Sequence, residues 1–136
     1  MKPSKTMTVA EYKAALVKNP RKVAGKVNAH TALVKAIVAS LNRMPGVDAI
    51  PMNTGAAKIG KGFVRYGFPG MADVMARILV KYYPPWQTLW LEAKTGTGRP
   101  SAVQIVFKEM VTRWGDRYLV CRSVDDAEKA VGEIFS

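Results

Sequence analysis

The chain has 136 residues, a length that suits one domain able to bury roughly two-thirds of the surface its unfolded form exposes. An apolar fraction of 49% excludes wholesale disorder, and the single cysteine excludes an internal disulfide. Lys and Arg number 21 against 10 Asp and Glu, giving +11 and a pI near 10.0, a balance that points to an anionic partner and above all to nucleic acid.

The charge is uneven along the chain. Residues 1–26 hold seven basic side chains (Lys2, Lys5, Lys13, Lys18, Arg21, Lys22, Lys26) against Glu11, and read as a basic, partly helical arm preceding a domain over 27–136. Thr8 and Glu11 have capping-box spacing, and Pro20 ends any helix. Such an arm is either a solvated helix or a nucleic-acid contact. Lysines interrupt the start of the chain, so no signal-peptide core is expected there. No apolar run approaches the roughly 20 residues needed to cross a bilayer. No membrane partner is expected, and a reducing, cytoplasmic setting is.

Asn28 is placed to cap a helix running to about Arg43, with Leu33, Ile37, Leu41 and Met44 inward, and Pro45-Gly46 stops it. Strands are expected at Val47–Asn53 and Phe63–Tyr66, joined by the Gly- and Lys-bearing turn Gly55–Gly62. The tight loop Gly67-Phe68-Pro69-Gly70 leads to a strand over Asp73–Val80, Tyr82–Pro85 is a turn, and Leu89–Lys94 is another strand. Ser101 caps a helix whose stripe is Val103, Val106, Phe107, Met110, Val111 and Trp114, ended by Gly115. Tyr118–Cys121 reads as a short buried strand, with Cys121 a packing residue. Ser123 and Asp126 open a last helix with Ala127, Ala130, Val131 and Ile134 inward. This order predicts an α/β fold, a central sheet flanked by helices.

Between Ala49 and Lys108 the only acids are Asp73 and Glu92, set among eight bases and at strand positions with apolar neighbours. Strand alternation turns Trp90, Glu92 and Lys94 to one face. With Asp73 on an adjacent strand, two carboxylates and one ammonium converge, a hard-oxygen set suited to Mg²⁺. A Glu and a Lys on one strand face are also simply a compensated surface pair. The glycines of Lys94–Gly98 follow the lysine, whereas a P-loop places them before it. Lys94-Thr95-Gly96 echoes serine β-lactamases, but no serine has a lysine three positions later. Both of those readings are rejected.

Several pieces resemble the VRR-NUC branch of the PD-(D/E)XK nucleases: Asn53–Ala56, Gly67–Asp73, Trp90–Lys94, Gly98–Ser101 with Gln104, and Tyr118–Ser123. The resemblance spans about Asn53 to Val131. It implies a restriction-endonuclease-like core with a mixed sheet, and a metal-dependent DNA endonuclease. Asp73 and Glu92 would bind Mg²⁺ or Mn²⁺, with the Ala93 carbonyl completing the set. Lys94 would be the catalytic lysine, and Gln104 would support it or the substrate phosphate. Lys58, Lys61, Arg65, Arg99, Ser101 and Arg122 are the candidate DNA contacts. Family members usually carry a Glu in the first core helix, and residues 28–43 contain no acid. His30 lies near that place as a possible ligand or base. Stand-alone members resemble structure-specific enzymes acting on branched DNA, including four-way (Holliday) junctions, as homodimers. Phage DNA processing or repair in the host cytoplasm is a setting that fits. The aromatic residues Tyr82, Tyr83 and Trp86 are interface candidates or packing around the Pro-rich turn. The rival reading is a DNA-binding protein whose nuclease site has decayed.

Overall fold

A computed structural model describes residues 6–17, 28–52 and 55–135. Four helices and six strands occur among these residues: α1 (Val9–Val17), α2 (Ala29–Asn42), β1 (Val47–Pro51), β2 (Gly55–Ile59), β3 (Gly62–Tyr66), β4 (Val74–Leu79), β5 (Trp86–Ala93), α3 (Ala102–Arg113), β6 (Arg117–Cys121) and α4 (Val124–Phe135).

The main sheet is mixed, ordered β1-β4-β5-β6. β1 and β5 flank β4 antiparallel, and β6 joins β5 in parallel. A parallel neighbour needs a crossover, which α3 supplies. Alternation along β5 divides the molecule into two layers. Leu89, Leu91 and Ala93 face α2 and α4 in a core with Ile37, Leu41 and Val131. Trp90 faces α3 in a smaller core with Phe107, Val111, Met71 and Ala72. Glu92 is on this second side.

Local signals place the helix starts. Asn28 Oδ1 accepts the Thr31 N–H at 2.7 Å, and the Thr8 hydroxyl accepts the Glu11 N–H at 3.1 Å. Ser123 Oγ accepts the Asp126 N–H while Asp126 Oδ2 accepts the Arg122 N–H, and these two bonds open α4. The inward residues expected of α4 are buried or partly so. Cys121 is fully buried, and burial followed by the nearby Asp126 charge pushes its thiol up to about 12. It is a packing residue.

Three expectations need correction. The segment Gly55–Gly62 is not merely a turn: Gly55–Ile59 is a strand, pairing with Gly62–Tyr66 in a two-stranded sheet of its own. Second, only part of the α3 stripe is inward. Phe107 and Val111 are buried, whereas Val103, Val106 and Trp114 are exposed. Phe107 and Val111 pack with Trp90, Met71 and Ala72, and the exposed residues of the stripe lie outside that cluster. Third, β5 begins at Trp86 rather than Leu89, because β4 offers it ladder partners out to Leu79. Asn53, the expected end of β1, and Pro20 lie outside the described residues.

The described part of the basic arm is docked. Lys13 Nζ donates to the Val47 carbonyl at 2.7 Å and pairs with Asp48 at 2.8 Å. The rest of the basic stretch, 1–5 and 18–26, lies outside the described residues. No helix among the described residues is long and apolar enough to cross a membrane.

Candidate functional site

Asp73 and Glu92 are brought together by strand register. Val74 is opposite Leu91, so Asp73, the residue before β4, falls opposite Glu92. The Met52 N–H donates to the Asp73 carbonyl at 2.7 Å and holds that backbone. The side chain is held as firmly: Asp73 Oδ2 accepts the Ala93 N–H at 2.9 Å and lies 3.1 Å from His30 Nε2. His30 stands in the first turn of α2, so the helix capped by Asn28 carries it to the site. The structure thus gives His30 a carboxylate partner and gives Ala93 a contact through its amide.

Glu92 is 3% exposed. Its Oε1 accepts from Gln104 Nε2 at 2.6 Å and lies 3.8 Å from Lys94 Nζ. Its Oε2 is buried, and no hydrogen bond of good geometry reaches it from the described residues. Burial, followed by the neighbouring Asp73 charge, pushes the Glu92 carboxyl up to about 8, against a smaller opposing pull from Lys94. Two carboxylates this close share one negative charge more comfortably than two. A cation between them removes the conflict.

Gln104 does two jobs. Its Oε1 accepts the Ser101 N–H at 2.8 Å, closing the capping box of α3, while its amide nitrogen reaches Glu92. The start of the helix and the orientation of the carboxylate are therefore set by one side chain. The Ser101 hydroxyl accepts the Gln104 N–H within the same box. Ahead of Asp73, the loop Gly67–Gly70 lies against this helix start. Gly70 has φ +78°, and a Cβ there would sit 2.2 Å from the Val103 carbonyl oxygen. Only glycine fits both the conformation and the space. Gly70→Ala is expected to cost about 2 kcal/mol or more, read as a lowered urea midpoint, because neither backbone has room to retreat. A midpoint equal to wild type would show that the loop does not rest on α3.

The candidate DNA contacts differ in placement. Lys61 and Arg99 are exposed, at the hairpin turn and in the loop before α3. Lys58 and Arg65 are carried by β2 and β3, and their side chains lie outside the described residues. Arg122 is engaged by the protein itself, donating from Nη1 to the Gly96 carbonyl at 2.8 Å and from Nη2 to the Gly98 carbonyl at 2.7 Å. It clamps the loop that carries Arg99. Of the aromatic trio, Tyr82 donates to the Ile134 carbonyl at 3.2 Å and Trp86 lies under Arg77, 5.9 Å from ring centroid to guanidinium, while Tyr83 is exposed.

Sequence reasoning missed Tyr118 as a neighbour of the site. It was visible only as one aromatic in a short strand, and its relation to Glu92 depends on the β5–β6 register.

The residues present fit a divalent cation in one respect: an orphaned, buried carboxylate oxygen beside a second carboxylate. Among the described residues no group of three or more His, Cys, Asp or Glu side chains is gathered to enclose an ion. The fit is therefore to an open site of the Mg²⁺ type, in which one or two carboxylates suffice and water and phosphate supply the remaining oxygens. Comparison of the chain with protein-family models, curated proteins and solved structures finds no match.

Proposed function

We propose that the protein is a metal-dependent endodeoxyribonuclease with a restriction-endonuclease-like core of VRR-NUC type. The observation that carries this reading is the Asp73–Glu92 pair, with Glu92 Oε2 buried and undonated and Lys94 alongside. In this reading Asp73 and Glu92, with the Ala93 carbonyl, would hold Mg²⁺ or Mn²⁺. The ion would act as a Lewis acid on a phosphodiester and lower the pKa of water. The other side chains have work of their own. Gln104 fixes one oxygen of Glu92. His30 and the Ala93 amide hold one oxygen of Asp73. Lys94, at 3.8 Å from Glu92, offsets negative charge gathering at the reacting phosphate. The basic excess, and Lys61 and Arg99 in exposed loops, supply phosphate contacts that position DNA without reading its sequence.

Branched duplex DNA, four-way junctions included, is the substrate class of this proposal, with a homodimer giving two sites related by a twofold axis. The test is cleavage of labelled linear, flap and four-way-junction DNA with Mg²⁺, Mn²⁺ or EDTA. Metal-dependent cutting, strongest on a branched form, is the expected result. A protein that binds every form and cuts none under any metal overturns it.

That second outcome is the rival reading, a DNA-binding protein without catalysis, favoured by the absence, among the described residues, of three or more acidic, Cys or His side chains arranged to hold an ion. Both readings share one prediction. Affinity for any duplex is expected to fall by about tenfold or more between 50 and 200 mM salt, since each neutralised phosphate releases counterions. Fluorescence anisotropy reads this directly, and equal affinities at the two concentrations would remove DNA from both.

A further inference from the structure

Among the described residues two buried side-chain oxygens have no hydrogen-bond partner, Glu92 Oε2 and the Tyr118 hydroxyl. Each can hydrogen-bond to a water, the phenol as a donor. They are neighbours by topology. Tyr118 is the register partner of Trp90 and Val120 that of Glu92, so Tyr118 stands diagonal to Glu92 on the α3 face. The ring is wedged in place: Phe107 has its centroid 6.4 Å away and Lys108 Nζ lies 5.9 Å from the ring centroid. Burial, then the Glu92 and Asp73 charges, push the phenol up to about 12, so it keeps its proton across the neutral range and feels both carboxylates.

A buried hydroxyl and a buried carboxylate oxygen on diagonal positions of one sheet face, each without a direct partner, are the setting in which an ordered water makes up the missing bonds. We propose that Tyr118 is a positioning residue of the site, one buried water bridging its hydroxyl and Glu92 Oε2. Gln104 then holds one oxygen of Glu92 directly and Tyr118 holds the other through water. The hydrogen-bonded link stands on the two orphaned atoms alone. Its functional consequence, a carboxylate oriented for a cation, rests on the metal-dependent reading above. Loss of such outer support lowers metal affinity by about 10–100-fold.

Two measurements on the full chain test this. A crystal structure grown in EDTA is expected to show one water within hydrogen-bonding distance of both the Tyr118 hydroxyl and Glu92 Oε2. In calorimetric titration with Mn²⁺, Tyr118→Phe is expected to bind about tenfold more weakly than wild type. Its melting temperature should stay within a few degrees, because the ring and its packing are kept. A structure with no shared water overturns the link. An unchanged Mn²⁺ affinity in Tyr118→Phe overturns the positioning role. A shared water in a wild-type protein that binds no Mn²⁺ upholds the link and overturns the metal-dependent reading, so the two fail separately.

Discussion

Asp73→Asn is expected to lower metal-dependent cleavage about a thousandfold or more, equivalent to about 4 kcal/mol of transition-state stabilisation. Asparagine keeps the shape of the side chain and a carbonyl oxygen able to accept the Ala93 N–H, now at 2.9 Å from Asp73 Oδ2. The strand ends therefore stay together. What is lost is charge: half of the paired anion that would attract a cation, and the negative charge beside His30. DNA affinity in EDTA should stay within about twofold, because phosphate contacts come from the basic side chains. Single-turnover cleavage beside anisotropy separates the two effects. A variant that still cuts at the wild-type rate would mean that Asp73 serves only to hold Ala93 in place.

A second large effect concerns pH. Folding raises the Glu92 carboxyl from 4.5 to about 8, through burial and then the Asp73 charge. Between those values the native state keeps a proton that the unfolded chain releases. The native state therefore binds more protons, and stability must fall as pH rises through that window. Glu92→Gln removes this dependence. In EDTA the variant should match wild type near pH 4 and exceed it by a few kcal/mol near pH 9, measured as the difference between the two urea-unfolding curves. Taking the difference cancels the titration of groups that do not feel the Glu92 charge. Under the metal-dependent reading Mg²⁺ or Mn²⁺ at pH 9 should narrow the gap by stabilising wild type. A gap that does not grow with pH would mean that Glu92 ionises freely in the folded protein.

The elements easiest to see in the sequence are those with local causes. Asn28, Ser101 and Ser123 mark helix starts because a short polar side chain meets orphan N–H groups there, whatever the rest of the fold does. Asp73 and Glu92 stood out because lone acids among bases in apolar strands are costly without a purpose. The β2 strand was hidden by its composition: Gly-Ala-Ala-Lys-Ile has little strand propensity, and it is the hairpin partner that extends it. Helical period gave α3 an apolar stripe but not the side of it that meets the sheet. Contacts across long separations were invisible. Arg122 meets Gly96 and Gly98 only because β6 returns beside β5, and nothing in its neighbourhood distinguishes it from a phosphate-binding arginine.

The Ala93 amide has a consequence for how this site is observed. Its N–H points to the side of β5 where β4 has already ended, and a carboxylate takes the place of the missing strand carbonyl. A single backbone resonance therefore reports on a side chain. In a nitrogen–proton correlation spectrum the Ala93 peak should shift whenever the charge on Asp73 changes, by protonation, by an ion or by substitution. The neighbouring Lys94 amide, bonded to the Cys121 carbonyl at 2.9 Å, provides an internal reference from the same stretch of chain. The molecule carries its own indicator, one that needs no label at the site and no knowledge of the substrate.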